Sequence, residues 1–517
     1  MRVVFRTDAS SSIGSGHVMR CLTLARMLQT SGAEVSFVSR LHSGHLIERI
    51  RAEGFACVAL DSPLVSSASI KKTSDYAVWL GASPAQDAAA VIEALGQIGS
   101  PDWLVVDHYG IGEEWERLLR PHCDHLMVID DLANRRHDCD LLLDQNLVDQ
   151  QESRYDHLVS ECCVKLLGPR YALLQTDYVS FHHQSRPRHS PARRIFAYFG
   201  AADESNVCGR VVQAFTGLAG RDVALDVIAS PASSSWPSLV DQVGNDDRVR
   251  LHGYVSSLAP FLQDADVAFG AGGATSWERC CLGVPAYVVT LAENQVPGTQ
   301  ALARLGAVRW LGDAMQVSDA ELRDAMREAL EGEVLSSMST ASLSLVDGWG
   351  AARVAAALSA GPETEFVVRS VEPSDERLTL DWANDPAVRQ NSFSAGRIDA
   401  HSHHHWFSRR MADVDNCRFY VVQMMTGLPA GPVRFERVSP GVWEIHYSLD
   451  HCLRGRRVGV AFLKAALDHF CRATTSANMV VGRVKSSNYA SQHIFRKLGF
   501  SKASDSQGFL YQLNLQR

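Results

Sequence analysis

Short apolar runs alternate with amphipathic segments along the N-terminal third of the chain. The runs fall at residues 3–5, 35–38, 103–106, 126–129 and 141–143. Runs of this length favour buried strands, and the segments between them carry apolar residues at helical spacing. Polar residues mark the ends of several runs, namely Asp107, Asp130, Asp131, Asp144 and Asn146. This alternation predicts a parallel sheet wrapped by helices, with a ligand crevice at the carboxyl ends of its strands.

A polar stretch at residues 182–191, rich in His, Arg and Pro, interrupts this pattern and is interpreted as a linker. After it the same rhythm begins again, with apolar runs at residues 195–199, 225–228, 249–251, 267–269 and 287–289. The repetition predicts a second Rossmann-like domain in tandem with the first.

The pattern changes after residues 359–362, which follow an Ala-rich helix. Strand-like residues 366–369, 419–422 and 443–447 precede one helix, a further strand at residues 479–482 and a closing helix. This order predicts a separate mixed α/β domain. We therefore expect an α/β protein with two tandem Rossmann-like domains, residues 1–185 and 186–358, followed by a third domain, residues 366–517. At roughly 150 residues per domain, the length of the chain agrees with three.

Composition and charge narrow the class of protein. With 46% hydrophobic residues, 21% charged residues and a net charge of −8 without a long basic run, the chain is typical of globular proteins that do not bind nucleic acid. The adjacent pairs Cys162-Cys163 and Cys280-Cys281 favour reduced, buried thiols and a cytoplasmic location. Because the charge does not indicate nucleic-acid binding, the predicted partners are small molecules. Neither a secretion signal nor a membrane-spanning segment is expected.

The first candidate site is Ile13-Gly14-Ser15-Gly16-His17, between the first strand and a helix. Glycines allow the backbone to approach a ligand closely, and amides at a helix start favour negative charge. His17 would then lie at the mouth of the crevice. A glycine-rich turn with a capping histidine gives the same pattern, so the motif is ambiguous by itself.

The second candidate site is the segment Gly-Ala-Gly-Gly-Ala-Thr-Ser-Trp-Glu at residues 270–278. Its amides can hold a diphosphate, and Glu278 can accept hydrogen bonds from ribose hydroxyls. A tight packing turn with a surface glutamate is the alternative. Asn294 and Gln295 lie at the next strand end, and two motifs that face one crevice favour the functional interpretation.

Together these motifs resemble a known family. Residues 6–10, 13–25 and 272–278 and the pair Asn294-Gln295 resemble the UDP-sugar hydrolases of pseudaminic acid biosynthesis. These enzymes release UDP from UDP-2,4-diacetamido-2,4,6-trideoxy-β-L-altropyranose. Their family has the two-Rossmann glycosyltransferase (GT-B) architecture and is similar to the glucosaminyltransferase that makes lipid II. The resemblance covers most of residues 1–358.

The resemblance implies roles for individual residues. His17 matches the histidine that activates water against the anomeric carbon. The implied substrate-binding residues are Gly14, Gly16, Gly272, Gly273, Thr275, Ser276, Glu278, Asn294 and Gln295. Imidazole is a base suited to neutral pH, and amides can stabilise the charge on departing UDP, so this scheme requires no metal.

Two motifs in the third domain suit coenzyme A. Residues 454–461 put amides and basic side chains at a helix start, as a pyrophosphate requires, and residues 488–500 combine a polar helix start with an apolar face. An Arg-rich helix start is also common on solvated surfaces. In this order the motifs resemble the GNAT acetyltransferases. The resemblance implies acetyl-CoA as co-substrate, bound by Arg454, Arg456, Arg457, Gly459, Ala461, Asn488 and Ser491.

Residues 382–389 and 404–407 resemble the GNAT branch that acetylates UDP-4-amino-4,6-dideoxy-N-acetyl-β-L-altrosamine. Trp382 and Trp406 are therefore expected to contact the substrate. Because that branch makes the substrate of the hydrolase, the two resemblances imply consecutive steps in one chain. Other enzymes of the same pathway are then possible partners.

The chain departs from the GNAT pattern at two points. Glycine is common where Arg457 stands in the simplest alignment, although a shift of two residues lets Arg456, Gly459 and Ala461 fit. The tyrosine that commonly protonates the departing thiolate falls at Phe495, so that Tyr489 or water would have to serve. Glu444, or His446 beside it, can act as the base on the sugar's amine.

Three other hypotheses stay open or are set aside. The first unit can instead be a GT-B glycosyltransferase with a sugar or lipid acceptor, and the last domain can be a non-catalytic binding module. The histidines at residues 401 and 403–405 suggest a metal, but contiguous side chains on a helix or strand cannot all point one way. We therefore expect no metal site.

Overall fold

The computed structural model describes residues 1–62, 76–200, 203, 205–218, 220–244, 246–394, 396–505 and 508–515. The chain forms two compact units, residues 1–354 and residues 355–517. Within the described ranges, each helix is too short or too polar to cross a membrane.

The first sheet of the first unit has seven parallel strands in the order β3-β2-β1-β4-β5-β6-β7. They are β1 (Arg2–Thr7), β2 (Glu34–Arg40), β3 (Ala56–Leu60), β4 (Trp103–Asp107), β5 (His125–Ile129), β6 (Leu141–Asp144) and β7 (Val164–Leu167). The helices among them are α1 (Gly16–Thr30), α2 (Ile47–Ala52), α3 (Pro84–Ile98) and α4 (Glu113–Leu119). The register pairs Thr7 with Asp107, so the carboxyl ends of β1 and β4 lie side by side.

The second sheet has six parallel strands in the order β10-β9-β8-β11-β12-β13. They are β8 (Arg194–Tyr198), β9 (Ala224–Ile228), β10 (Val249–His252), β11 (Val267–Ala271), β12 (Ala286–Thr290) and β13 (Val308–Asp313). The helices from this half are α5 (Asp177–Gln184), α6 (Val207–Leu218), α7 (Trp236–Val243), α8 (Ala259–Asp264), α9 (Thr275–Cys281), α10 (Val296–Arg304), α11 (Asp319–Glu331), α12 (Leu335–Leu343) and α13 (Gly350–Ser359). Both sheets have the Rossmann-like order, which confirms that part of the predicted fold class.

Strand β11 shows why these strands are apolar without interruption. Val267 and Phe269 belong to the hydrophobic core on one face of the sheet, and Ala268 belongs to the core on the other face. A parallel sheet with helices on both faces buries every side chain of such a strand. Continuous apolar runs, rather than alternating ones, are the expected result.

Two local predictions are wrong. Residues 182–184, interpreted as part of a linker, are the end of α5, where His182 Nδ1 lies 2.6 Å from the carbonyl oxygen of Cys281 on α9. This contact stabilises the last turn of α5, so the helix continues into the polar stretch. Cys280 and Cys281 are buried in α9 as predicted, whereas Cys162 is exposed in the turn before β7.

The second unit has one mixed sheet in the order β14-β15-β16-β17-β18-β20-β19. Its elements are β14 (Phe366–Ser370), α14 (Glu376–Asn384), α15 (Pro386–Asn391), α16 (Ala400–Ala412), β15 (Cys417–Met424), β16 (Pro429–Ser439), β17 (Val442–Tyr447), α17 (Gly459–Ala473), β18 (Met479–Val484), α18 (Tyr489–Lys497), β19 (Ser501–Asp505) and β20 (Gly508–Asn514). The three helices after β14 and the strands β16, β19 and β20 add to the predicted order.

One pair of strands sets the geometry of this sheet. β17 and β18 are parallel and pair over residues 442–444 and 479–481, whereas the neighbouring pairs are antiparallel. Beyond Glu444 the described residues of β17 and β18 no longer pair with each other. The two strands part there, which opens the sheet between them.

Candidate active sites

A tight turn positions His17 at the end of β1. The backbone N–H of Gly14 donates to the carbonyl of Ser10 at 2.8 Å, and Gly14 has a φ of +81°, a conformation that favours glycine. A Cβ added at Gly14 or Gly16 would meet no described heavy atom within 4 Å, so both face open space. α1 begins at Gly16, and His17 in its first turn is 7% exposed. The turn therefore brings a nearly buried imidazole beside open space.

His17 is held by a carboxylate that is distant in the sequence. Its Nδ1 lies 2.6 Å from Oδ1 of Asp107, the last residue of β4. Arg20, one turn further along α1, donates to the same carboxylate through Nε and Nη2, both at 2.6 Å. The chain therefore builds a His–Asp–Arg cluster from the ends of two neighbouring strands.

The charge of this cluster decides which histidine nitrogen is available. Although burial disfavours the charged carboxylate, the positive charge of Arg20 lowers the pKa of Asp107 below its usual range, so Asp107 is an anion. A carboxylate only accepts hydrogen bonds, so in neutral His17 the proton is on Nδ1 and the lone pair is on Nε2. This arrangement suits His17 as a general base and stabilises the imidazolium that forms when it takes a proton.

Aromatic side chains form one wall beside His17. Tyr109 lies edge-on to the imidazole with ring centroids 4.5 Å apart, and Trp79 stacks on Tyr109 at 5.7 Å. Tyr76 contacts both, at 4.8 Å from Trp79 and 5.0 Å from Tyr109. The sequence analysis missed these three residues. Tyr76 and Trp79 lie in a short helical turn and Tyr109 in the turn after β4, and single aromatic residues in turns leave no periodic signal in the sequence.

The polar strand ends near this wall have partners of their own. Asp131 Oδ2 accepts from Asn146 Nδ2 at 3.2 Å and lies 3.4 Å from Arg20 Nη1. The Asp144 carboxylate binds Arg154 and the hydroxyl of Tyr155, and burial raises its pKa to about 7. Asp131 and Asn146 therefore belong to the edge of the His17 cluster, whereas Asp144 lies in a buried network with Tyr155.

The glycine-rich loop after β11 encloses a buried arginine. Arg279 Nη2 donates to the carbonyl of Ala271 at 2.7 Å and to Ser276 Oγ at 3.0 Å, and its Nη1 donates to Thr275 Oγ1 at 3.2 Å. Burial lowers the pKa of Arg279 to about 10, which leaves the side chain cationic at neutral pH. The hydroxyls of Thr275 and Ser276, predicted to bind substrate, thus hold Arg279 beneath the loop.

The remaining predicted residues of this half surround the same loop. A Cβ on Gly272 would lie 2.3 Å from Thr299 Oγ1, and one on Gly273 would lie 3.7 Å from Gln295 Nε2. Gln295 therefore lies next to the glycines, with its Oε1 accepting from the N–H of Leu291, while Asn294 is exposed. Burial raises the pKa of Glu278 to about 7.

The carboxyl ends of the two parallel sheets approach each other within the first unit. A Cβ on Gly298 of α10 would lie 3.6 Å from the carbonyl oxygen of Leu147, which follows β6. Burial raises the pKa of Tyr76, and the carboxylates of Asp131 and of Glu293 contribute to the same shift. The turn that carries Asn294 and Gln295 thus lies close to the wall beside His17.

A cavity of about 1200 Å³ lies in the second unit where β17 and β18 part. Its walls include residues 445–447 of β17, residues 483–485 at the end of β18, the start of α17 and one face of α18. The predicted residues that line it are Trp406, Arg454, Arg457, Gly459, Ala461, Asn488 and Ser491. Arg457 has a φ of +62°, the left-handed conformation that explains why glycine is common at this position.

Three predicted residues are absent from the described lining. Trp382 is buried and donates through Nε1 to Asp450 at 2.8 Å, so it joins α14 to the loop after β17. Arg456 donates to the carbonyls of Cys452 and Ala357. Glu444 lies outside the lining with its Oε1 3.9 Å from Arg483 Nε, whereas its neighbour His446 lines the cavity.

His446 lies among cations. Arg434 packs over the ring of Trp406 at 4.9 Å, and Glu436 pairs with Arg434 at 2.7 Å and with Arg410 at 3.2 Å. Removal from water and then the charge of Arg434 lower the pKa of His446 to about 4, so the imidazole is neutral near pH 7. This end of the cavity therefore combines a neutral imidazole with positively charged side chains.

The histidines of α16 point in different directions. His403 is buried near Thr379, His404 Nδ1 lies 3.0 Å from Glu376, and the Nε2 atoms of His401 and His405 lie 3.1 Å apart. Among the residues that the structure describes, no group of three or more His, Cys, Asp or Glu side chains is arranged to hold a metal ion.

Comparison with known proteins divides the chain in the same way. Residues 365–501 match the acetyltransferase (GNAT) domain family, so the chain carries a GNAT domain, as predicted. Over 241 residues, 46% of this chain and 72% of the relative, it is 26% identical to the UDP-2,4-diacetamido-2,4,6-trideoxy-β-L-altropyranose hydrolase of Campylobacter jejuni. The N-terminal region is thus related to a sugar-nucleotide enzyme.

Two further matches differ in extent. An uncharacterised protein of Methanocaldococcus jannaschii is 20% identical over the full length of both chains. A solved structure of MurG from Acinetobacter baumannii superposes with a TM-score of 0.49 at 13% identity, covering 68% of this chain and 97% of that one. The first match therefore spans both units of the chain.

Proposed function

We propose that the chain catalyses two consecutive reactions of pseudaminic acid biosynthesis. The GNAT domain acetylates the 4-amino group of UDP-4-amino-4,6-dideoxy-N-acetyl-β-L-altrosamine with acetyl-CoA. The first unit then hydrolyses the product, UDP-2,4-diacetamido-2,4,6-trideoxy-β-L-altropyranose, to UDP and the free sugar. Support comes from the relationship to the Campylobacter hydrolase, from the GNAT domain and from the chemistry of the two sites.

The His17–Asp107 pair is the main structural support for the proposed hydrolase activity. Nε2 of His17 takes a proton from water as the water oxygen attacks the anomeric carbon, and the bond from that carbon to the diphosphate oxygen breaks. Asp107 stabilises the imidazolium and keeps the ring in one orientation. A single displacement of this kind inverts the configuration at the anomeric carbon.

The loop after β11 suits the leaving group. Gly272 and Gly273 allow close approach to the backbone, and Arg279 supplies a buried positive charge beneath it. Charge builds up on UDP as the bond breaks, so a cation held in place stabilises the transition state more than the ground state. Glu278 and Gln295 are assigned to the nucleotide and sugar hydroxyls around this loop.

The cavity of the GNAT domain suits acetyl-CoA, which supplies the acetyl thioester. Arg457 and the backbone of Gly459 at the start of α17 are assigned to the pyrophosphate. The gap between β17 and β18 has room for an extended arm. His446 takes the proton that the amine loses as it attacks, and Arg434 is assigned to the negative charge of the nucleotide-sugar.

Mass spectrometry of the full chain with the 4-amino UDP-sugar, with and without acetyl-CoA, tests both reactions. We expect free diacetamido sugar and UDP only when acetyl-CoA is present. UDP release without acetylation, or acetylation without UDP release, would reject one of the two assignments. If the first unit is instead a glycosyltransferase, the GNAT domain would still acetylate the substrate, but UDP would be released only after an acceptor is added. The reaction without an acceptor therefore distinguishes the hydrolase from the glycosyltransferase.

A further inference from the structure

Acetyl transfer from a thioester leaves a thiolate, which departs more easily when a nearby acid protonates it. Phe495 of α18 is 1% exposed and lines the cavity, but it carries no acidic group. The tip of its ring lies against β18, since a Cβ on Gly482 would be 2.6 Å from its Cζ. Tyr489 is 77% exposed and lies outside the described lining of the cavity. Neither residue supplies the proton.

Tyr447 lies on the wall of the cavity close to Phe495. It is the last residue of β17, on the segment that separates from β18, and it is the tyrosine among the described residues that line the cavity. Its ring lies edge-on to Phe495 with centroids 5.9 Å apart, and its hydroxyl donates to Ser491 Oγ on α18 at 3.0 Å. The phenol is therefore on the cavity wall next to the ring that lacks a hydroxyl.

We propose that Tyr447 is the general acid of the acetyl transfer, an inference that rests on the proposed function of the GNAT domain. The amine nitrogen forms a bond to the carbonyl carbon of the thioester and loses a proton to His446 or water. The carbon–sulfur bond then breaks, and the sulfur takes the phenolic proton of Tyr447. The products are the acetamide and the CoA thiol, and no electrons are exchanged with a further reagent.

Ser491 completes the cycle. In the resting enzyme its Oγ accepts the phenolic hydrogen, while its backbone N–H donates to Asn488 Oδ1 at 3.1 Å, so the side chain is held at the start of α18. When Tyr447 turns its proton towards sulfur, the Ser491 hydroxyl can donate to the phenolate. Ser491 is half-buried and therefore connects the phenol to solvent for reprotonation.

The surroundings of Tyr447 keep the acid in its protonated form. Phe462 and Phe495 pack against the ring, at centroid distances of 6.4 and 5.9 Å. Burial raises the pKa of Tyr447 to about 12, so the phenol stays protonated throughout the range in which enzymes are assayed. This state is the one that an acid needs before each turnover.

The first test removes one oxygen atom. We expect Tyr447→Phe to lower kcat for CoA release with the 4-amino UDP-sugar by about 10²-fold, with acetyl-CoA binding measured by calorimetry unchanged. Tyr489→Phe is the matched control and should keep the wild-type rate. Equal rates in wild type and Tyr447→Phe would overturn the role of Tyr447 and leave the proposed function intact. A wild-type protein that binds acetyl-CoA but does not acetylate this UDP-sugar would overturn the proposed substrate, and the role of Tyr447 with it.

The second test does not depend on turnover. 3-Fluorotyrosine at position 447 of the full chain reports on its phenol by fluorine NMR. We expect the signal to shift when CoA is added and to shift less when CoA without its sulfur atom is added. Identical shifts with both probes would mean that the phenol does not face the sulfur, and would overturn the proposal even if Tyr447→Phe were slow through a packing defect.

Discussion

The two units each place a histidine near a strand end, but the balance of charge around the two histidines differs. His17 has the buried carboxylate of Asp107 at 2.6 Å. His446 has Arg434 and Arg410 nearby, and the closest approach of its Nε2 to Glu436 is 4.0 Å. The same side chain thus lies in two different electrostatic environments.

Under the proposed function, the difference follows from what each reaction must stabilise. Hydrolysis of an activated sugar needs a base strong enough to take a proton from water, and an adjacent anion stabilises the resulting imidazolium. An amine is already a good nucleophile once it is neutral, so its base can be weak. Burial, and then the cations around His446, make the imidazole a weaker base, and the same cations attract a phosphate-bearing substrate. The two sites therefore differ in the charges near the histidine and not in the type of residue.

Loss of His17 should have the largest effect. We expect His17→Asn to lower kcat for UDP release by about 10⁴-fold, because water then has no positioned base. The acetylation rate should not change. Steady-state UDP release checks this, and the exposed His125, changed to Asn, is the matched control. UDP release by His17→Asn at the wild-type rate would show that His17 is not the base.

Loss of the anion beside His17 should come next. Asp107→Asn keeps the shape of the side chain, but its amide can hydrogen-bond to either tautomer of the ring. We expect kcat for UDP release to fall by about 10³-fold with an unchanged KM, since the imidazolium loses its partner. Arg20 loses the same partner, so thermal unfolding is measured alongside. An unchanged kcat would show that His17 needs no carboxylate.

The second site distinguishes two neighbouring residues. We expect His446→Gln to lower kcat for acetylation by about 10²-fold and Glu444→Gln to change it less than about threefold, because only the first side chain lines the cavity. Since the pKa of His446 is about 4, protonation of this residue should not reduce the wild-type rate until the pH falls below about 5. The opposite order of effects would restore Glu444 as the base.

The smallest kinetic effect is expected at Trp382. Trp382→Phe removes a buried hydrogen bond to Asp450 and should cost about 1–3 kcal/mol of unfolding free energy, with KM and kcat for acetylation unchanged. Trp406→Phe alters the cavity wall instead and should raise KM for the UDP-sugar. Chemical denaturation and steady-state kinetics of both variants check this. A raised KM in Trp382→Phe would contradict its structural role.

The fold could be predicted from the sequence because patterns within short segments of the chain encode its strands and domain boundary. Apolar runs such as residues 267–269 are continuous where both faces of a sheet are covered, and the break in rhythm after residues 359–362 separates two kinds of sheet. The helices α14–α16 were harder to foresee, because α14 and α15 are short and because polar or charged residues interrupt the apolar faces of all three.

The sequence by itself determined the two glycine-rich turns and the position of His17, because a left-handed residue such as Gly14 and a helix start are encoded within a few residues. Only the tertiary structure decided that Asp107, 90 positions away, orients that histidine, and that Tyr447 rather than Tyr489 faces the cavity. Both are contacts between elements that are distant in the chain. Such contacts depend on strand order and register, which arise only when the sheet assembles.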